Sequence, residues 1–145
     1  RSLLISIIAL FPNVLSISFV LGFMGWFSIP LDMMTITIAA ISMGIAVDNT
    51  IHYIYRFKTE ITKDYDYLES MKRSHKSIGY AMYYTSITII AGFSILVFSN
   101  FIPSIYFGLL TGLAMLIALL ASLTLLPQLL MYFKPFGKKQ KSEIT

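Results

Sequence analysis

The 145-residue sequence contains no cysteine, and charged residues make up only 12% of it. The absence of cysteine excludes a disulfide framework and a thiolate metal site. Charges are missing from long stretches of the chain, and 57% of the residues are hydrophobic, against roughly 45–50% in a usual soluble domain. This excess, gathered into long runs, indicates membrane spans rather than one large soluble core.

Four apolar runs account for the excess. They cover residues 3–27, 33–55, 78–98 and 105–126. Each has about 20 residues or more, which is enough to cross roughly 30 Å of hydrocarbon. Two of the connections, at 28–32 and 99–103, are too short to join anything but antiparallel neighbours. The sequence therefore predicts an all-α membrane protein, with a transmembrane domain over residues 1–133.

None of the 11 basic residues lies in either short turn. They precede the first run, lie between the second and the third, or follow the fourth. By the positive-inside rule, the 57–77 linker and both termini of this chain are predicted to be cytoplasmic, with a basic tail over 134–145. The net charge of +4 does not indicate a nucleic-acid partner, because the basic residues flank apolar runs and form no basic face.

The linker over 57–77 has apolar residues at mostly helical spacing among charged and hydroxylated ones. These apolar residues, with one at the start of the next run, are Phe57, Ile61, Tyr65, Leu68, Met71 and Ile78. The pattern predicts an amphipathic helix on the cytoplasmic surface of the membrane. A short soluble helix packed against the bundle is the alternative.

Only one of the seven acidic residues, Asp48, lies deep inside a span. It precedes Arg56 by eight residues, which places it about 12 Å inside the cytoplasmic boundary. An acid at that depth costs on the order of 2.5–3.5 kcal/mol on insertion scales. This cost favours a functional role, and the alternative is a structural Asp hydrogen-bonded to a neighbouring helix. A carboxyl group removed from water favours its neutral form, so it could bind and release a proton.

Small and polar residues share one face of the second span with this acid. The stripe consists of Ala40, Gly44, Asp48 and His52. Their spacing of four predicts a face that meets protein, with Gly44 leaving room for a neighbouring helix or a water. His52 is either a proton relay or a polar tip at the membrane edge. Thr85 and Thr88 lie at a similar depth in the third span and either pass a proton or bond to their own backbone carbonyls.

Glycines in the fourth span indicate close helix packing. Gly108 and Gly112 form a GxxxG pair, which lets helix backbones approach one another. The sequence shows no nucleophile–base pair and no metal-ligating cluster, so neither an enzyme nor a cofactor is predicted.

Several stretches, in order along nearly the whole chain, resemble one family. The stretch from Gly44 to His52, followed by Arg56, resembles the Asp-bearing helix of RND-superfamily exporters of the MMPL type. The other similar stretches are Pro12-Asn13, Met24-Gly25-Trp26, Ile29-Pro30-Leu31-Asp32, Thr85 to Gly92-Phe93, Phe107-Gly108 and Leu126-Pro127. Asn49 is a departure, since many relatives have a tyrosine or a second acid after the Asp.

The resemblance implies a larger protein of two similar halves, each with six spans and a large extracytoplasmic domain. This chain would be the last four spans of the second half, in the cell (inner) membrane. Asp48 would take up protons, and lipids or other hydrophobic molecules would move through the extracytoplasmic domains. A partner acid, if there is one, would belong to the first half. Homo-oligomerisation is left open by the resemblance.

Two readings compete with a proton-driven exporter. One is a sterol-sensing-domain-like lipid sensor without transport activity, built on the same bundle. The other is a structural membrane anchor of a larger complex. Asp48 discriminates among them, because an exporter needs the group ionisable whereas an anchor should tolerate Asn at that position.

Overall fold

The computed structural model describes residues 2–136, in which the regular structure is helical throughout. The α-helices are α1 (Ser2–Trp26), α2 (Met33–Asp64), α3 (Tyr67–Ser74), α4 (Tyr80–Ser94) and α5 (Ile102–Phe133). A π-helical turn, His75–Gly79, joins α3 to α4, and a 3-10 turn, Ile95–Phe98, follows α4. Residues 2–136 thus form four long helical segments.

All four segments are long and apolar enough to cross a membrane. They are Leu3–Trp26, Met33–Asp64, Tyr67–Phe98 and Ile102–Phe133. The predicted all-α membrane fold with four spans is therefore confirmed. The predicted basic tail at 134–145 lies largely outside the described residues.

The turn between α1 and α2 is closed by side-chain caps. Ser28 adopts a left-handed backbone conformation, with φ 53°. Asp32 then caps α2: the Thr35 amide donates to Asp32 Oδ1 at 2.9 Å, and the Asp32 amide donates to Thr35 Oγ1 at 2.7 Å. This reciprocal capping box satisfies backbone donors that the first turn of a helix otherwise leaves free.

The segment predicted as a surface helix is divided between two helices. Its first part continues α2 as far as Asp64, where Tyr65 in the left-handed conformation reverses the chain. Its second part is α3, begun by Asp66, whose carboxylate accepts from the Leu68 and Glu69 amides. The structure does not confirm a separate amphipathic helix, because α2 and α3 form a hairpin stabilised by charged side chains.

The last helix, α5, is the centre of the bundle. It packs against α1, α2 and α4, whereas α4 packs mainly against α5. Gly108 permits the closest approach: a Cβ there would lie 2.5 Å from the Phe93 carbonyl oxygen and 2.8 Å from Leu96 Cβ. A larger residue at 108 would therefore force α5 away from the end of α4.

Candidate functional site

The face of α2 that carries Asp48 points away from the other described helices. Its members, Ala40, Gly44, Asp48 and His52, are all exposed. A Cβ on Gly44 would meet no atom within 4 Å. Nothing in residues 2–136 covers this stripe.

Asp48 and His52 are neighbours on this exposed face. His52 Nε2 lies 3.5 Å from Asp48 Oδ1, and the two side chains are 63% and 70% exposed. The contact is an ion pair when His52 is protonated. Since a carboxylate in contact with lipid is costly, we expect another segment of protein or a water-filled cavity to cover this face in the membrane.

The opposite face of α2 is buried against α1 and α5. Asn13 of α1 and Thr50 of α2 are 1% and 0% exposed. Asn13 Nδ2 donates to Thr50 Oγ1 at 3.2 Å and to the Ala9 carbonyl at 3.0 Å. The Thr50 hydroxyl in turn lies 2.9 Å from the Ala46 carbonyl. This polar pair holds α1 and α2 in one rotational setting, because each buried group would lose a partner if either helix turned.

The two threonines predicted near Asp48, Thr85 and Thr88, form hydrogen bonds within their own helix. Thr85 Oγ1 donates to the Ala81 carbonyl at 2.9 Å, and Thr88 Oγ1 donates to the Tyr84 carbonyl at 2.9 Å. Both are exposed, and among the described residues neither has a hydrogen bond to Asp48. In this conformation each hydroxyl bonds within its own helix.

The glycines of α5 differ in their surroundings. Gly108 lies in tight contact with the end of α4, as described above. A Cβ on Gly112 would instead lie 3.9 Å from Ile90 Cγ2, which is an ordinary van der Waals contact. Both lie where α5 faces α4, and Gly108 is the closer of the two.

A buried carboxylate on α2 was not singled out from the sequence. Glu60 is 2% exposed, although it belongs to a charged stretch. Its oxygens lie 3.1 Å from Arg56 Nη2, 2.9 Å from Lys63 Nζ and 3.7 Å from Arg73 Nη1. Arg73 also pairs with Asp64. The spacing of Arg56, Glu60 and Lys63 signals neighbours on α2, but the contact with Arg73 depends on the hairpin turn.

Within residues 2–136, no group of three or more His, Cys, Asp or Glu side chains could hold a metal ion. The polar groups of the spans include one helix-to-helix pair, Asn13–Thr50, and one exposed acid, Asp48. Fold and site together describe a multi-pass membrane protein whose second span carries an ionisable group.

The comparisons with known proteins identify the family. The MMPL family model matches residues 1–144. The chain therefore belongs to the MMPL family, and the family assignment made from the sequence is confirmed.

Two relatives illustrate the relationship. A protein of Methanocaldococcus jannaschii, whose name describes it only as a membrane protein, is 29% identical over 99% of this chain and 38% of its own length. The hopanoid transporter HpnN of Burkholderia multivorans is 31% identical over 76% of this chain and 12% of its own length. The chain thus spans well under half of either relative. No solved structure matches it.

Proposed function

We propose that this chain is part of a proton-driven exporter of lipids or other hydrophobic molecules, in which Asp48 carries the proton. The observation that carries the proposal is the position of Asp48, an acid inside a membrane span on a face that no described helix covers. Membership of the MMPL family supports it. A relative named as a hopanoid transporter is consistent with a lipid substrate.

In this proposal Asp48 alternates between a neutral and an ionised state. The carboxyl group binds a proton from one side of the membrane and is neutral, and it is ionised after release to the other side. The membrane potential contributes about 2.3 kcal/mol per charge per 100 mV. His52, 3.5 Å away and one turn nearer the charged end of α2, is the candidate relay. Thr85 and Thr88 could join the proton path only if their hydroxyls give up their hydrogen bonds to the carbonyls of their own helix.

The rest of the protein completes the exporter in this proposal. The outward stripe of α2 meets a helix of the first half, which shields Asp48 from lipid and supplies any second polar group. Hydrophobic substrate moves through extracytoplasmic domains that lie outside these four spans. The protein sits in the cell (inner) membrane, and both ends of this chain are cytoplasmic because the basic residues gather at that side.

The decisive experiment replaces Asp48 by Asn in the full-length protein. Asn has nearly the same shape and keeps most hydrogen bonds, but it cannot be ionised. We expect normal abundance and membrane insertion, while export driven by a proton gradient falls to background. Efflux and protein level are measured on the same vesicles.

Asp32→Asn is the matched control. Asp32 lies in the short turn and caps α2, and Asn is an equally good N-cap, so export should persist. Full efflux with Asn at position 48 would remove Asp48 from the transport cycle, whereas absence of efflux in the parent protein as well would favour a sensor or an anchor. If Asn is tolerated but Ala destabilises the protein, Asp48 is a structural hydrogen-bonding residue.

A further inference from the structure

A chain of hydrogen bonds joins α2 to α5 through His75. Tyr53 of α2 is fully buried, and its Oη lies 2.8 Å from His75 Nδ1. On the other side of the ring, His75 Nε2 lies 2.9 Å from the Leu123 carbonyl oxygen of α5. The Tyr53 and His75 rings also meet edge to face, with their centroids 5.5 Å apart. Three helical segments therefore meet at one imidazole.

The partners determine where the protons lie. A carbonyl oxygen only accepts, so Nε2 must carry a hydrogen and donate to Leu123. In a neutral imidazole Nδ1 is then the acceptor, and the Tyr53 hydroxyl donates to it. In this hydrogen-bond chain, each donor therefore faces an acceptor. Loss of the imidazole would leave the Tyr53 hydroxyl and the Leu123 carbonyl without these bonds.

Pro127 explains why the Leu123 carbonyl is available. In a regular α-helix this oxygen would accept from the amide of residue 127. Residue 127 is proline, inside α5, and proline has no amide hydrogen. His75 supplies the missing donor. It stands at the first position of the π-helical turn, a distortion that often marks functional positions.

We propose that His75 is a positioning residue, which fixes the rotation of α2, and so the direction of Asp48, by joining α2 to the proline-interrupted part of α5. Tyr53 and Asp48 are five residues apart, or about 140° around the helix axis. A rotation of about 30° would move a side-chain atom at a radius of about 6 Å by about 3 Å. That displacement breaks a 2.8 Å hydrogen bond, so the His75 bridge resists rotation of α2 in addition to the Asn13–Thr50 pair.

The effect of His75 on export rests on the proposed function, whereas the bridge from Tyr53 through His75 to Leu123 does not. The test uses full-length protein and measures labelling of Asp48 by dicyclohexylcarbodiimide, with Asp48→Asn as the blank. His75→Ala is expected to change the labelling rate by about threefold or more. His75→Gln, whose side chain has both a donor and an acceptor, should be labelled at the parental rate. Should His75→Ala fail to fold, Tyr53→Phe removes one bond and should change the rate in the same direction.

A double-mutant cycle tests the link to Pro127. Pro127→Ala restores an amide that can donate to the Leu123 carbonyl, so only the Tyr53 hydroxyl then depends on His75. In that background His75→Ala should lower Tm by roughly half as much as in the parent, or less. Pro12→Ala is the control, since Pro12 interrupts α1 in the same way. It should leave the effect of His75→Ala unchanged.

The outcomes separate this inference from the proposed function. Unchanged Asp48 labelling in folded His75→Ala protein, or in Tyr53→Phe if the alanine variant does not fold, overturns the positioning role. An equal Tm loss in the parent and Pro127→Ala backgrounds overturns the bridge to α5. Full export by Asp48→Asn overturns the proposed function alone, because labelling and Tm do not depend on transport.

Discussion

Along the middle of α2, the inner face is buried and carries Ser42, Ala46 and Thr50, whereas the outer face carries Asp48 and His52, which no other described helix covers. On the inner face, Thr50 has a partner on another helix. On the outer face, the side chain paired with Asp48 is His52 of the same helix. The difference teaches that α2 packs into the bundle with one side and leaves Asp48 uncovered by the other described helices on the other side.

The largest effect is expected from overfilling the inner face. Ala46 is 3% exposed, so Ala46→Leu must displace a neighbouring helix and should cost about 1–3 kcal/mol. The measurement is thermal unfolding of the full-length protein in detergent. Ala91→Leu, on the exposed side of α4, is the control and should have little effect. Equal losses for both variants would show that the inner face of α2 is not tightly packed.

A smaller effect is expected from removing the inter-helix hydrogen bond. Thr50→Val keeps the side-chain shape but leaves the Asn13 amide with fewer partners, at a cost of about 1 kcal/mol. Thr124→Val is the control. Like Thr50, Thr124 donates to a carbonyl of its own helix, with its Oγ1 2.6 Å from Leu120 O, but Thr124 is exposed, so its loss should have little effect. If both variants melt alike, the Asn13–Thr50 pair contributes nothing to stability.

The smallest effect is expected on the outer face. Gly44→Ala adds a methyl group that meets no described atom within 4 Å, and alanine favours the helix by up to about 1 kcal/mol. Tm in detergent should therefore stay the same or rise slightly. A clear decrease of Tm in the full-length protein would mean that another segment packs directly on Gly44. Both faces of α2 would then be buried.

Much of the fold could be predicted because long apolar runs have few alternatives. A run such as 33–55 must cross the membrane as a helix, since every backbone polar group needs an internal partner there. Helix ends in charged sequence were harder to predict. The apolar run ends at Tyr55, yet α2 continues through charged sequence to Asp64. Its last turns depend on Glu60 and on Arg73 from the next helix, a contact that local spacing does not reveal.

The candidate site was predicted in part. Asp48 was recognisable because an acid within an apolar run is costly. The direction of its face depends on how α2 is rotated against α1, and that rotation is fixed by Asn13 and other buried partners. His75 was missed because it stands outside the apolar runs. Pro127 was the available signal, since a proline within a helix leaves a carbonyl in need of a donor.

The length of α2 has a mechanical consequence. The helix has 32 residues and no proline, and Asp48 lies at its middle, 15 residues from Met33 and 16 from Asp64. Sixteen residues of helix extend about 24 Å, so a tilt of about 10° with Asp48 as the fulcrum would displace the Asp64 end by about 4 Å. A tilt of α2 about this carboxyl group would therefore become a displacement of the α2–α3 hairpin at the charged end of the helix.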